Sequence, residues 1–394
     1  MILIAAGLFC LSAVNFLIDP SAIFCFADIH HLNKEKPKQN TGGGRRNKSA
    51  ALAFNRYDII IVGTSRCQVG MDPGAMVLQG KKVYNAGLPG MTLEEINRAI
   101  DLILERNSAR ELIVETSFLG FHRDLSENQE RTDFDESLLN PDTCIVPFFA
   151  KYLFSVYTLM DSATTVWFNA HGGKSHFTRS GLVLKNSRKV NNKNLFRESL
   201  AQDFRRIKRG YADFFDNEAA MRSFGEAISK CKDQGLKVVI FIPPLHAVHL
   251  EALRISGLYE QVEKWKTDLL AITNEIDPSR QQIRLFDFAD YSKYTTERVP
   301  EDAGKKMKWY VESSHFKKEL GNIILQRIYE PQRGDEAFGV LLSLDTISQH
   351  LSDIRERQSE YIQNHPREIR MVERISKDPE TGRKKKLHRK RKAD

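Results

Sequence analysis

Cysteine is scarce in this chain. The 394 residues hold five, Cys10, Cys25, Cys67, Cys144 and Cys231, with no CxxC pair and no Cys/His ligand cluster. Their spacing therefore offers no zinc site, and an odd count defines no disulfide framework, although one bridge stays open. Excess charge of either sign is scarce in the body. The net charge is +8, but residues 365–394 hold twelve Lys/Arg and five Asp/Glu, so that tail carries +7 and everything before it +1. With no basic residues interleaved with aromatics in the body, the composition argues against nucleic acid as a partner.

Charge is missing altogether from Met1–Ile18, which is apolar apart from Ser12 and Asn15. That run approaches the ~20 residues of a membrane-spanning helix. It reads as a retained signal anchor, a cleaved signal peptide or a buried core helix. No small-x-small site precedes Asp19-Pro20, and apolar character resumes in Ala22–Ala27, which favours the anchor. No basic segment flanks it, so the positive-inside rule leaves its orientation open.

What is present is an alternation of strand and helix signals. A hydrophobic fraction of 41% supports a sizeable core in one large domain with appendages, or in two domains. After a polar linker (19–56) with Gly42–Gly44 and Arg45-Arg46, the run Asp58–Val62 reads as a buried strand that stops at Gly63-Thr64-Ser65-Arg66. Lys82–Tyr84 reads as a second strand, Met91–Glu105 as a helix with Thr92 as N-cap and Glu95 as its capping-box partner, and Glu111–Glu115 as a third strand. The pattern returns with helix Met221–Gln234, strand Lys237–Ile242, helix Glu260–Ile276, strand Gln282–Phe288 and a closing helix Lys317–Ile328. Such units predict a three-layer α/β sandwich around a mostly parallel sheet of about five strands. The expected domain spans 57–330, with an inserted cap at about 120–215 in which Phe148–Asn169 reads as one amphipathic helix. A helical extension (331–364) and a basic disordered tail (365–394) follow.

Chemistry enters through a hydroxyl at the carboxyl end of the first strand, where open α/β sheets meet ligands. Far downstream, Glu312-Ser313-Ser314-His315 sets a carboxylate three residues before a histidine, a spacing that lets the acid hold an imidazole while the imidazole deprotonates a serine. Gly63-Thr64-Ser65-Arg66, Asn85-Ala86-Gly87-Leu88-Pro89-Gly90 and Glu312-Ser313-Ser314-His315, in this order, resemble the first, second and last blocks of the SGNH (GDSL-like) hydrolase superfamily. With the apolar N-terminus and Phe241-Ile242-Pro243-Pro244-Leu245-His246, the chain looks like the membrane-anchored members that accompany bacterial polysaccharide O-acetylation, similar to alginate O-acetylation and D-alanyl-transfer proteins.

That resemblance implies an SGNH/flavodoxin-like fold and an extracytoplasmic domain on the periplasmic side of a bacterial inner membrane. It implies no cofactor and no metal. Its partners would be membrane lipid, a membrane-bound acyltransferase that supplies the acyl donor, and a cell-surface glycan. Ser65, His315 and Glu312 would form the catalytic triad. The amides of Ser65 and Gly90 would stabilise the oxyanion, with Ser117 a candidate third donor. Arg66, Asn85 and His246 would touch substrate. The chain departs from the pattern twice: Glu115-Thr116-Ser117-Phe118-Leu119-Gly120 stands where Gly-x-Asn-Asp is expected, and Glu312 replaces the usual Asp.

Plainer readings accompany each residue. Ser65 is also placed to cap a helix, His315 to begin one, and Asn85, Gly87 and Gly90 to make a turn. Arg66 suits a salt bridge or an anionic substrate. His246 and His249 suit a metal pair or a solvated helix. A second function, a non-catalytic membrane-tethered scaffold or glycan-binding subunit, fits the two departures.

Overall fold

A buried run of four β-branched residues, Ile59–Val62, forms strand β1, as expected of a strand covered on both faces. The computed structural model describes residues 1–37, 44–106, 109–121, 133–184, 191–210, 217–302, 304–333 and 338–378. In chain order the described helices are α1 (Ile2–Ile18), α2 (Arg45–Phe54), α3 (Ser65–Gly70), α4 (Leu93–Arg106), α5 (Ile145–Leu153), α6 (Val156–Ala170), α7 (Asn192–Gly210), α8 (Glu218–Asp233), α9 (Ala247–Ile255), α10 (Tyr259–Ile276), α11 (Lys318–Tyr329), α12 (Ile347–Asn364) and α13 (Pro366–Lys377). The remaining strands are β2 (Val83–Asn85), β3 (Glu111–Glu115), β4 (Lys237–Ile242), β5 (Ile283–Asp287) and β6 (Val340–Leu341). They form a six-stranded sheet in the order β2-β1-β3-β4-β5-β6. β1 pairs parallel with β2, β4 with β5, and β6 adds antiparallel to β5. The α/β class and the mostly parallel sheet match the expectation. The sixth strand, two residues long, was not anticipated.

The chain divides into two compact units. The first comprises Met1–Gln68, Gly80–Leu112 and Gln129–Lys185, and the second Val69–Gln79, Ile113–Asn128 and Asn186–Asp394. In the first, the capping box before α4 forms as expected: Thr92 N donates to Glu95 Oε2 (2.9 Å) and Glu95 N to Thr92 Oγ1 (3.2 Å). In the second, the core includes Trp265 of α10 against Phe118 and Phe121, and Phe121 also meets Phe224 of α8. Buried Asp287, the last residue of β5, is neutralised by Lys266 at 2.6 Å and hydrogen-bonded by His350 Nε2 at 2.9 Å. Burial alone pushes its carboxyl up, but Lys266 and the hydrogen bond from His350 hold it down at about 2.

Several local expectations are corrected. The segment read as linker carries α2, whose Lys48, Ala50, Ala51 and Leu52 are buried; residues 38–43, with Gly42 and Gly43, lie outside the described part. The single helix expected over Phe148–Asn169 is two, α5 and α6. Ser155 breaks it by capping α6, its Oγ accepting from Thr158 N at 3.3 Å. Residues 366–377, expected to be disordered, are helical with Pro366 in the first turn and Glu368, Ile369 and Val372 buried. The tail beyond 378 is not described.

Among the described residues no helix is long and apolar enough to cross a membrane. At 17 residues, α1 is about 25 Å long at ~1.5 Å per residue, short of the ~30 Å hydrocarbon layer. The expected span is therefore not found in that form.

Candidate functional site

In the first unit the serine block and the glycine block are stitched together. Thr64, not Ser65, caps α3: its Oγ1 accepts from Arg66 N (3.3 Å) and its carbonyl from Gln68 N (3.1 Å). Ser65 opens the helix, partly exposed, directly beyond β1. The loop after β2 continues the ladder to β1, with Ala86 N donating to Ile61 O (2.8 Å) and Leu88 N to Gly63 O (2.9 Å). Buried Asn85 donates from Nδ2 to Cys67 O (2.7 Å), and its Oδ1 accepts from Gly87 N (2.9 Å). It shapes the turn rather than facing solvent. Gly90 closes the loop at φ 58°, a conformation that favours glycine.

The supports of this loop come from places where the sequence signalled nothing. Lys48 of α2 is buried and donates to three carbonyls, Asn85 O (2.9 Å), Gly87 O (2.6 Å) and Gly181 O (2.9 Å). Burial pushes its ammonium down to about 7. Arg45 pairs with the buried carboxylate of Glu95 and donates from Nη2 to Pro89 O (3.1 Å). From the other side, Asn85 N donates to Ser180 O (2.7 Å) and Val183 N to Gln68 O (2.9 Å). Gly181, at φ 88°, lies so close that a Cβ would collide with Asn85 O.

The second unit contains Glu312 and His315. An antiparallel bridge between Tyr310 and Phe316, with Val311 N donating to His315 O (2.9 Å), folds residues 312–315 into a tight turn. Glu312 Oε1 accepts from His315 Nδ1, from His315 N (2.8 Å) and from Ser314 Oγ (3.0 Å); Oε2 accepts from Ser314 N (3.1 Å) and Ser313 Oγ (3.4 Å). Burial on its own raises the Glu312 carboxyl, but His315, Ser199 and Ser314 together hold it well below the ordinary carboxylate range. It is a fixed anion, so Nδ1 carries the imidazole proton and Nε2 is the basic nitrogen. The His315 side chain is 23% exposed against 11% for Glu312.

Other elements hold this turn from behind. Buried Asn192, at the start of α7, donates to Tyr310 O (3.3 Å) and Val311 O (2.8 Å) and accepts from Met307 N (3.2 Å). Ser199 Oγ is 2.7 Å from Ser313 Oγ. Neither residue stood out in the sequence. Gly70, the last residue of α3, packs on the residue after His315: a Cβ on Gly70 would collide with the Phe316 ring.

His246 corrects the sequence reading. It is fully buried, caps α9 by accepting from Val248 N at Nδ1 (3.2 Å), and its Nε2 is 2.7 Å from Glu297 O. Its ring sits edge-on between Phe196 and Tyr310, and burial pushes it down to about 4. Its backbone amide donates to Ser313 O (3.0 Å), so it positions the turn instead of touching substrate. His249 is buried beside Asp203, Nδ1 to Oδ2 3.0 Å, not solvated on its helix. Among the described residues no group of His, Cys, Asp or Glu is arranged to hold a metal. Ser117 follows β3 and accepts a turn bond from Gly120 N (2.8 Å) through its carbonyl.

Ser65, Arg66, Asn85 and Gly90 thus belong to the first unit, and Ser117, His246, Glu312 and His315 to the second. Comparison with protein-family models finds no match, and neither does comparison with curated proteins.

Proposed function

We propose that the chain is an extracytoplasmic, SGNH-like serine acyltransferase or esterase that acts on a cell-surface polysaccharide, with O-acetyl transfer as its reaction. The observation that carries this reading is the Glu312–His315 pair: a nearly buried carboxylate, held in its ionised form at neutral pH, accepts from Nδ1 of a more exposed imidazole. A histidine that merely begins a helix has no need of such a holder. The capping hydroxyl at the serine block, that of Thr64, supports it further.

In the proposed reaction Ser65 Oγ attacks the acyl carbonyl while His315 Nε2 takes its proton. The amides of Ser65 and Gly90 stabilise the oxyanion, a donor of this kind contributing ~3 kcal/mol. The intermediate collapses, and the donor's leaving group departs with the proton from His315. A sugar hydroxyl then attacks the acyl-serine, passes its proton to His315, and leaves as the ester with Ser65 restored; water in its place gives hydrolysis. A membrane acyltransferase supplies the donor in this scheme, Arg66 faces an anionic part of the substrate, and the domain works on the outer face of the membrane.

The second reading is a catalytically silent scaffold or glycan-binding subunit. It is favoured by Thr116-Ser117 standing where an asparagine donor is expected. Acetyl release from para-nitrophenyl acetate separates the two. Turnover by the wild type that is lost in Ser65→Ala and His315→Ala supports the enzyme, whereas equal rates in all three proteins, repeated with native glycan as acceptor, support the scaffold.

A further inference from the structure

Large exposed apolar side chains gather on one part of the first unit. α1 presents Ile2, Leu3, Ile4, Leu8, Phe9, Val14 and Leu17 to the outside, and the paired helices α5 and α6 add Val146, Phe154, Val156, Tyr157, Met160 and Trp167. All of residues 1–10 are exposed, and none is charged. A protein groove covers one face of a helix. A helix apolar all round and open on every side requires an apolar medium on every side.

The polar groups of α1 are withdrawn from that surface. Ser12 Oγ returns to Phe9 O (3.0 Å). Asn15, fully buried, donates to Leu153 O (2.8 Å) and Ser155 O (3.0 Å), and its Oδ1 faces Ser162 Oγ at 3.2 Å. Asn15 therefore pins the last turn of α1 to the break between α5 and α6. The exposed Phe154, Val156 and Tyr157 flank that break.

The geometry points to a three-helix platform, α1 with the α5–α6 break, that seats this unit in the apolar layer of a phospholipid bilayer. Tyr157 and Trp167, 82% and 61% exposed, lie on α6 as amphipathic rings suited to the headgroup level. This attachment differs from a spanning anchor, because α6 shares the load, and it does not depend on the acyl-transfer reading.

Flotation of the full chain with phosphatidylcholine vesicles, and with vesicles of phosphatidylethanolamine and phosphatidylglycerol, tests it. The wild type floats with both, and does so in high salt, since apolar insertion is not screened as charge attraction is. Leu3→Glu/Phe9→Glu loses flotation. Val156→Glu/Tyr157→Glu weakens it roughly tenfold or more; unchanged circular dichroism verifies folding of both. Three results would overturn the platform: flotation untouched by the α6 pair, which leaves α1 acting alone; flotation confined to anionic vesicles and abolished by salt, which assigns binding to the basic tail; or no flotation with a self-associated protein that the same substitutions render monomeric.

Discussion

One oxygen of Glu312, Oε1, accepts both the ring Nδ1–H and the backbone N–H of His315. The imidazole is thereby fixed in tautomer and in direction by a single carboxylate three residues away. The tight turn bridged by Tyr310 and Phe316 brings the two residues together.

Glu312→Gln keeps the shape and removes the anion. Where a carboxylate only orients a triad histidine, such an exchange lowers turnover by ~10⁴. We expect a fall of that order in kcat for acetyl release, with KM little changed. A Glu312→Gln protein as active as the wild type removes Glu312 from the proposed machinery.

Lys48→Met strips the ammonium from three buried carbonyls, two of which belong to the Asn85–Gly90 loop. Leaving a buried polar group unmatched costs about 1–3 kcal/mol, so urea unfolding is expected to register a loss of roughly 3 kcal/mol. Gly181→Ala attacks the same loop from the other side, through a clash with Asn85 O and a left-handed backbone that costs ~1–2 kcal/mol for an L-residue. Both variants are expected to lose activity beyond their loss of folded protein.

Asn192→Leu tests positioning of the turn. Asn192 is far from Glu312 in sequence, and its side chain hydrogen-bonds to backbone atoms of Met307, Tyr310 and Val311. The variant is predicted to fold and to lower kcat more than it raises KM, with a shifted pH–rate profile as His315 loses its fixed setting. A variant with unchanged kcat and pH profile makes Asn192 structural only.

Acid weakens the fold in a defined window. The folded pKa values of Asp287 and Glu312 lie below the ordinary 3.8 and 4.5, so their contribution is present above those values and disappears as pH falls through the folded ones. For Asp287, held at about 2, the lost stability is roughly 2 kcal/mol. Unfolding free energies at pH 5.5 and pH 3 should differ in the wild type and differ less in Asp287→Asn.

The strands β1 to β5 and α4 were legible because their signals are local: β-branched runs ended by turn residues, and a Thr-x-x-Glu box. What was lost depends on tertiary burial. Arg45 and Lys48 are ordinary solvated cations by composition, and only the carbonyls and carboxylate packed around them make α2 part of the core. His246 has the sequence neighbourhood of an edge residue, yet Phe196 and Tyr310 enclose it. Two-residue β6 carries no periodicity, and the α5–α6 break turns on one serine hydroxyl.

The central claim is that His315 activates Ser65. The most direct measurement is mass mapping of the serine modified by a fluorophosphonate probe, in the wild type and in His315→Ala. The account predicts a single modified peptide containing Ser65, with labelling that rises with pH and is lost in the variant. Labelling elsewhere, or labelling of Ser65 that persists undiminished without His315, would contradict it.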